Sequence, residues 1–387
     1  MPSLPELPPH LHTTKNLPPN LLPTLIKTFQ LSSTSFSEIV KTLKPDLLIY
    51  DFFQPWAPKI ALSQNIPSVY FATSGATIFS FYHHIYTEGT SSTFPYKAIY
   101  LLDHEKVNLR ERIGSNLNDA DKDFAFGNFT LSSDIILMKS SRGVEGKYID
   151  YLSVLCKKRI VPTGPLVVHS KNDNDDEDEE EDSEILKWLS GKSCSSTIYI
   201  SFGSEYFLSD NQIEEMAKGL EISDANFIWV LRFPVGEENI SIEDKLPVGF
   251  IDKVKERGIV VLAWAPQTRI LAHSSIGGFV SHCGWSSILE SMYFGVPIIA
   301  MPMKADQPIN ARMVAEAGVG VEVGRDENGN YVGEEIAKAI NNVIFEKTFY
   351  EGIRDRARKL SEEIKEKEEE EVNEAAEHLL SLCMKNN

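Results

Sequence analysis

The sequence predicts an α/β protein made of two doubly wound halves. Three observations carry that prediction. Short apolar runs alternate with amphipathic segments through both halves of the chain. Its 387 residues suit two or three domains at about 150 residues each. A run of nine acids between Asp173 and Asp182 interrupts the alternation near its middle.

The elements follow in order. Seven prolines in the first 24 residues (Pro2, Pro5, Pro8, Pro9, Pro18, Pro19 and Pro23) forbid an early helix and predict a loop leading into one helix over 25–43. Residues 46–50 (DLLIY), stopped by Asp51, read as a buried parallel strand. A helix over 56–64 and a strand over 68–71 complete a βαβ unit. Residues 133–140 (SDIILMKS) give a further strand, followed by a helix over 146–155. Residues 160–165 then lead into the acidic run, which reads as a solvated loop.

In the second half, strands are expected at 198–201, 227–231, 259–262, 278–280 and 297–301, with helices at 210–220, 268–272, 286–294 and 310–317. Two long charged helices close the chain. The stretch 361–371 carries i,i+4 pairs such as Glu363–Lys367 and reads as a solvated helix face. The division is therefore a first domain over 1–165, an acidic linker over 166–183 and a second domain over 184–360. A terminal helix over 361–387 is expected to pack back toward the first domain.

Charge and cysteine usage narrow the function. The net charge of −18, half of it in the acidic run, repels phosphate backbones and anionic lipid. Neither a nucleic-acid partner nor a membrane-surface role is expected. Four scattered cysteines (Cys156, Cys194, Cys283 and Cys383) lack any CxxC or Cys/His cluster, so reduced thiols and no zinc site are expected. No apolar stretch nears the roughly 18 residues of a membrane span. The expected location is the cytoplasm.

Residues 264–307 (WAPQTRILAHSSIGGFVSHCGWSSILESMYFGVPIIAMPMKADQ) concentrate the chemistry. A strand, a tight turn at His282–Gly284–Trp285 and a helix from Ser286 would present unpaired N–H groups and positive partial charge to an anion. Gly284 permits close backbone approach, while Ser286, Ser287 and His282 add donors. Glu290, one turn into the helix, can accept from ribose hydroxyls, and Trp264 offers a plate for a base. Asp306 and Gln307 follow a strand end, where open parallel sheets bind ligands. Singly, each has an ordinary role: a core histidine at His282, an N-cap at Ser286 or Asp306, packing at Trp264, a surface acid at Glu290. Together, at this spacing, they describe a nucleoside-diphosphate site with a polyol-binding corner.

This 44-residue segment resembles the donor-binding box of plant UDP-dependent small-molecule glycosyltransferases. The resemblance extends over nearly the whole chain, including 46–58 (DLLIYDFFQPWAP), Gly164–Pro165 and 201–207 (SFGSEYF). With 10–14 (HLHTT), these stretches resemble the branch that extends an existing sugar on terpenoid, lignan or flavonoid glycosides. The resemblance implies two Rossmann-like domains of GT-B type, UDP-glucose as donor, a small-molecule glycoside as acceptor, inversion at the anomeric carbon and no metal or other cofactor. It places Trp264 on uracil, with the Ala265 backbone and the Gln267 side chain at base and ribose, and Glu290 on the ribose hydroxyls. His282, the Trp285 backbone, Ser287 and Ser204 hold the phosphates; Asp306 and Gln307 read the sugar, with Gln307 favouring glucose. One departure is Ser286, where the family has Asn, at an expected loss of about 1 kcal/mol in donor binding.

The resemblance also implies a catalytic His oriented by an Asp, and Asp51 matches that Asp. No histidine here matches that base, because the chain opens at ELPPHLHTT. Against the family pattern, roughly seventy residues of the usual N-terminal domain are expected to be absent, which leaves that domain incomplete. The remaining candidates are His10 and His12 in the proline-rich loop and His83 and His84 on a helix beside the acceptor. His104, His169 and His378 are expected to be exposed, with His273 at a helix end. An unpaired sheet edge and a bare apolar face are expected beside the first strand. The competing reading is a UDP-sugar-binding module without transfer. A dinucleotide dehydrogenase is disfavoured, since Gly318, Gly320 and Gly324 follow a helix and do not form GxGxxG. A UDP-sugar epimerase fits the box less well.

Overall fold

The computed structural model describes residues 1–14, 17–89, 91–106, 127–168, 179–204, 206–233, 241–262 and 264–384. Two parallel sheets organise them. In the first, β1 (Leu48–Tyr50), β2 (Ser68–Ala72), β3 (Ile135–Met138) and β4 (Arg159–Pro162) lie side by side in chain order. The second holds β5 (Thr197–Ser201), β6 (Asn226–Val230), β7 (Gly258–Val261), β8 (Ile276–Ser281), β9 (Ile298–Ala300) and β10 (Gly320–Glu322), ordered β10-β9-β8-β5-β6-β7. Its direction of winding reverses between β5 and β8. Central strands such as β3 and β5 are buried along their whole length, which is why they read as unbroken apolar runs.

The predicted helix over 25–43 is two helices, α1 (Leu22–Gln30) and α2 (Ser33–Leu43). At the join the backbone tightens to i−3 bonds, Leu31 to Thr28 and Ser32 to Phe29. The hydroxyl-rich stretch Ser32–Ser35 competes with the helix ladder and favours a restart. Pro23 sits in the first turn of α1, where its missing N–H leaves no bond unmade. The preceding prolines lead only short 3₁₀ turns, Pro9–Leu11 and Pro19–Leu21. Next come α3 (Ala57–Ser63), α4 (Ala76–Glu88) and α5 (Arg142–Cys156).

The acidic run is corrected in part. Its last four residues open α6 (Glu179–Ser190), and the rest, together with His169, lies outside the described residues. Two turns of α6 bury Ile185 and Leu189 against Tyr199, Ile228 and Phe279, which anchors the helix despite its charged start. Acids at a helix N-terminus also complement its dipole.

The second sheet is flanked by α7 (Asp210–Ile222), α8 (Gln267–Leu271), α9 (Trp285–Tyr293), α10 (Gln307–Ala317) and α11 (Gly333–Phe345). Strand β10 and the bounds of α4 have no counterpart in the sequence reading. The chain ends in α12 (Lys347–Met384), which touches both halves. Ala357, Leu360 and Ile364 join an apolar cluster with Trp285 and Met292, while Ala375 and Leu382 pack on Val69, Ile135, Leu137 and Val161 of the first sheet. Glu371 of α12 accepts from the Ser141 hydroxyl (3.1 Å) and the Arg142 amide (2.7 Å), capping α5. Glu363 and Lys367 face solvent. One continuous core runs across the seam, from Tyr70, Phe81 and Tyr148 to Trp285, Ile309 and Met313. At the outer edge of the first sheet, Ile49 of β1 is 48% exposed, and Leu43 and Leu62 on α2 and α3 are exposed as well.

Candidate active site

The reversal between β5 and β8 makes a crevice at the carboxyl ends of those strands, where doubly wound sheets take ligands. The loop after β5 carries Gly203 and an exposed Ser204. The turn after β8 carries His282, Cys283 and Gly284. These two loops fit around the His282 ring. A Cβ on Gly203 would lie 2.8 Å from His282 Cε1, and one on Gly284 would lie 2.5 Å from His282 Nε2. The left-handed residue of the turn is Cys283 (φ 66°), whereas Gly284 has an ordinary φ of −61°. Gly284 is thus demanded by the imidazole beside it. Burial lowers the pKa of His282 to about 4, with a Ser201 backbone group opposing and Lys304 reinforcing. The ring is a neutral donor–acceptor at pH 7.

Gly284 is the N-cap of α9, with no side-chain cap bond and no acid in the first turn. Ser286 is therefore not an N-cap. It sits exposed at the second helical position. The start of α9 therefore keeps a positive partial charge with neither a side-chain cap nor a first-turn acid against it, an arrangement suited to an anion. One turn on, Gln267 at the start of α8 donates through Nε2 to Ser287 Oγ (3.2 Å) and to Glu290 Oε2 (2.7 Å). Residues 20 and 23 positions apart are thereby joined. Burial raises the Glu290 pKa, opposed by the Gln267 bond and by Lys139. Ala265 is buried, and its carbonyl accepts from the Gln267 amide (2.8 Å). Trp264 is 65% exposed, which does not fit a packing role, and the Arg232 guanidinium lies 4.9 Å over its ring.

Asp306 precedes α10 but makes no side-chain cap bond. Its Oδ2 instead accepts from Asn310 Nδ2 (3.1 Å) and, across the seam, from Ser74 Oγ (3.0 Å). Gln307 is buried, and its Oε1 accepts from the amides of Met303 (2.9 Å) and Lys304 (2.8 Å).

The first half reaches this site through residues the sequence reading missed. Trp285 donates its indole N–H to the Lys139 carbonyl (2.7 Å), and Lys139 Nζ donates to Ser286 Oγ (2.9 Å). Glu145, fully buried, accepts from Ser140 Oγ (2.6 Å), Thr77 Oγ1 (2.6 Å) and the amides of Ala76 and Thr77 (2.8 Å each). It fixes the start of α4 beside Trp285, and a Cβ on Gly75 would meet both groups below 3 Å. The one available signal was position: Lys139 and Ser74 each follow a strand end, as Asp306 does.

Asp51 follows β1, and its carboxylate accepts from the Phe53 amide (2.8 Å) in a turn. Among the described residues no hydrogen bond links it to Gln267, Glu290, Asp306 or Gln307. Three histidines are bonded to structural partners: His84 between Tyr151 (2.7 Å) and Ser92 (3.0 Å), His12 on the Leu7 carbonyl (3.1 Å), and His273 against the Ser275 amide (3.2 Å), while His10 and His104 are exposed. His83 is buried in α4, and burial lowers its pKa. His378, expected to be exposed, is half-buried 3.7 Å from Glu374. Among the described residues no group of three or more His, Cys, Asp or Glu could hold a metal ion, and no helix is long and apolar enough to cross a membrane.

Comparison with known proteins gives the family and the fold. Residues 170–366 match the family described as UDP-glucoronosyl and UDP-glucosyl transferase. A mogroside IIIx synthase from Siraitia grosvenorii is 49% identical over 380 residues, covering 97% of this chain and 82% of that protein. A beta-D-glucosyl crocetin beta-1,6-glucosyltransferase from Gardenia jasminoides is 45% identical over 386 residues, covering 99% of this chain and 85% of that protein. The crystal structure of a UGT transferase from Siraitia grosvenorii in complex with UDP superposes with a TM-score of 0.78 at 27% identity, covering 93% of this chain and 87% of that one. The two facing parallel sheets are therefore a GT-B fold, and the chain belongs to the UDP-glucoronosyl and UDP-glucosyl transferase family of plant small-molecule glycosyltransferases.

Proposed function

We propose that this chain transfers glucose from UDP-glucose to a hydroxyl of a sugar already carried by a small terpenoid, lignan or flavonoid glycoside, with inversion and without a metal, in the cytoplasm. The observation that carries the reading is the direct bonding of Gln267 to both Ser287 and Glu290 beside the uncapped start of α9. Uracil stacks on Trp264 and meets the Ala265 backbone, and Glu290 accepts from the ribose. His282, the Trp285 amide, Ser287 and Ser204 hold the diphosphate. Asp306 and Gln307 hold the glucose. With Oε1 of Gln307 occupied by two amides, its Nε2 is the atom that donates to a sugar hydroxyl. The Gardenia relative, whose name states a glucosyl acceptor and a glucosyl transfer, supports extension of a sugar by glucose.

In the reaction the acceptor oxygen bonds to the anomeric carbon as the bond from that carbon to UDP breaks. The electron pair leaves on UDP, and the hydroxyl proton passes to a base. A second reading, UDP-sugar binding without transfer, is favoured by the candidate bases, since His12 and His84 are bonded to other groups, His83 is buried, and His10 is exposed in the proline-rich stretch. Incubation with UDP-glucose and a set of glucosides separates the two. Release of UDP with a product one hexose heavier supports transfer; saturable UDP-glucose binding without UDP release supports the second reading and overturns the first.

A further inference from the structure

Lys139 follows β3 of the first sheet and is fixed from both sides. Its amide donates to the Ala72 carbonyl (2.9 Å), and its carbonyl accepts the indole N–H of Trp285 (2.7 Å). With the main chain so held, the ammonium crosses the seam and donates to Ser286 Oγ (2.9 Å) at the second residue of α9. This is the wrong end of a helix for a cation, because the unpaired N–H groups there already carry positive partial charge. Lys139 is also half-buried; burial lowers its pKa, and Glu290, four residues beyond Ser286, is the charge that opposes this. A neutral hydroxyl cannot balance an ammonium and a helix N-terminus together. An anion seated between them would.

We infer that Lys139 is a diphosphate-binding residue supplied by the first sheet, its ammonium and the start of α9 gripping the phosphates of a UDP-sugar from opposite sides of the cleft. The inference rests on the donor-site reading above and adds, from the opposite side of the cleft, a cation beyond Arg269 and Lys304 of the segment 264–307. When the anomeric C–O bond breaks, its electron pair ends on UDP, and the ammonium then faces more negative charge than before. Ser286 fits this arrangement because its short side chain offers the waiting ammonium an acceptor.

Calorimetric titration of the parent chain, Lys139→Met and Lys139→Arg with UDP and with uridine tests the inference. Lys139→Met is expected to bind UDP about tenfold more weakly and uridine unchanged, with Lys139→Arg within about threefold of the parent for both. The decline of UDP affinity with added salt should be shallower in Lys139→Met. Unchanged UDP affinity in a Lys139→Met protein that melts like the parent overturns the role. So do equal losses for UDP and uridine, which would mark the lysine as structural. A folded parent that binds neither ligand removes the donor-site reading itself, and this inference with it.

Discussion

The two sheets contribute to the site in different ways. In the second, the residues proposed for the donor, other than Ser204, come from one stretch, 264–307, and are bonded within or beside it: Gln267 to Glu290, Asp306 to Asn310, Gln307 to Met303. The first sheet contributes isolated residues that act across the seam. Ser74 reaches Asp306, Lys139 reaches Ser286 and Trp285, and Glu105 reaches Arg312. One half carries most of the proposed binding residues as a local motif, and the other meets that motif through long-range contacts, Lys139 among them. Loss of a seam contact other than Lys139, whose proposed role is in binding, should therefore register first in stability, and loss of a motif residue first in ligand binding.

The largest effect is expected at the seam. Arg312 of α10 holds Glu105 through two bonds (2.9 and 3.0 Å), and both side chains are only 4% exposed. Glu322 bonds the same guanidinium at 3.1 Å. Arg312→Ala strands a buried carboxylate and should lower stability by about 3–5 kcal/mol, read as a shift in the urea midpoint. A loss below about 1 kcal/mol would show that the halves are not held there.

The next effect belongs to the turn after β8. An unfolded chain protonates His282 below its ordinary 6.5, whereas the folded chain resists until about 4. The stability this contributes is complete above pH 6.5 and declines as pH falls toward 4, by about 3 kcal/mol in all. His282→Gln should flatten the urea midpoint across that window relative to the parent. Parallel profiles would remove the buried imidazole as the cause.

The same division explains what could be read from the amino-acid order. Strands β2, β3 and β5 to β8 and the turn into α9 announce themselves through short apolar runs and a local glycine. The binding segment was legible because its parts are neighbours in the chain. The break between α1 and α2 was hidden because a run of hydroxyl residues fits a helix start as well as a helix interior. Helix α6 was hidden by its acids, since its apolar residues, Ile185, Leu186, Trp188 and Leu189, are confined to its last turns. Lys139 and Ser74 find their partners 147 and 232 residues away, and no local pattern encodes such a meeting. Trp285 was read for its backbone, yet its indole N–H makes one of the bonds that join the halves.

Two smaller effects sharpen the binding side. Trp264→Ala should weaken UDP and uridine alike by about tenfold, the worth of one base stacked on an aromatic plate. If only UDP suffers, the indole acts through Arg232, whose guanidinium lies over it, and the loss is one of charge. Gln307→Glu keeps an oxygen for the Met303 and Lys304 amides while turning the Nε2 donor into an acceptor. The added charge lowers affinity for any diphosphate, so the informative quantity is the ratio of UDP-glucose to UDP affinity. That ratio should fall about threefold, the loss of one neutral hydrogen bond to a sugar hydroxyl. An unchanged ratio would mean that Gln307 serves only to brace the loop before α10, and that recognition of the hexose in this half lies with Asp306.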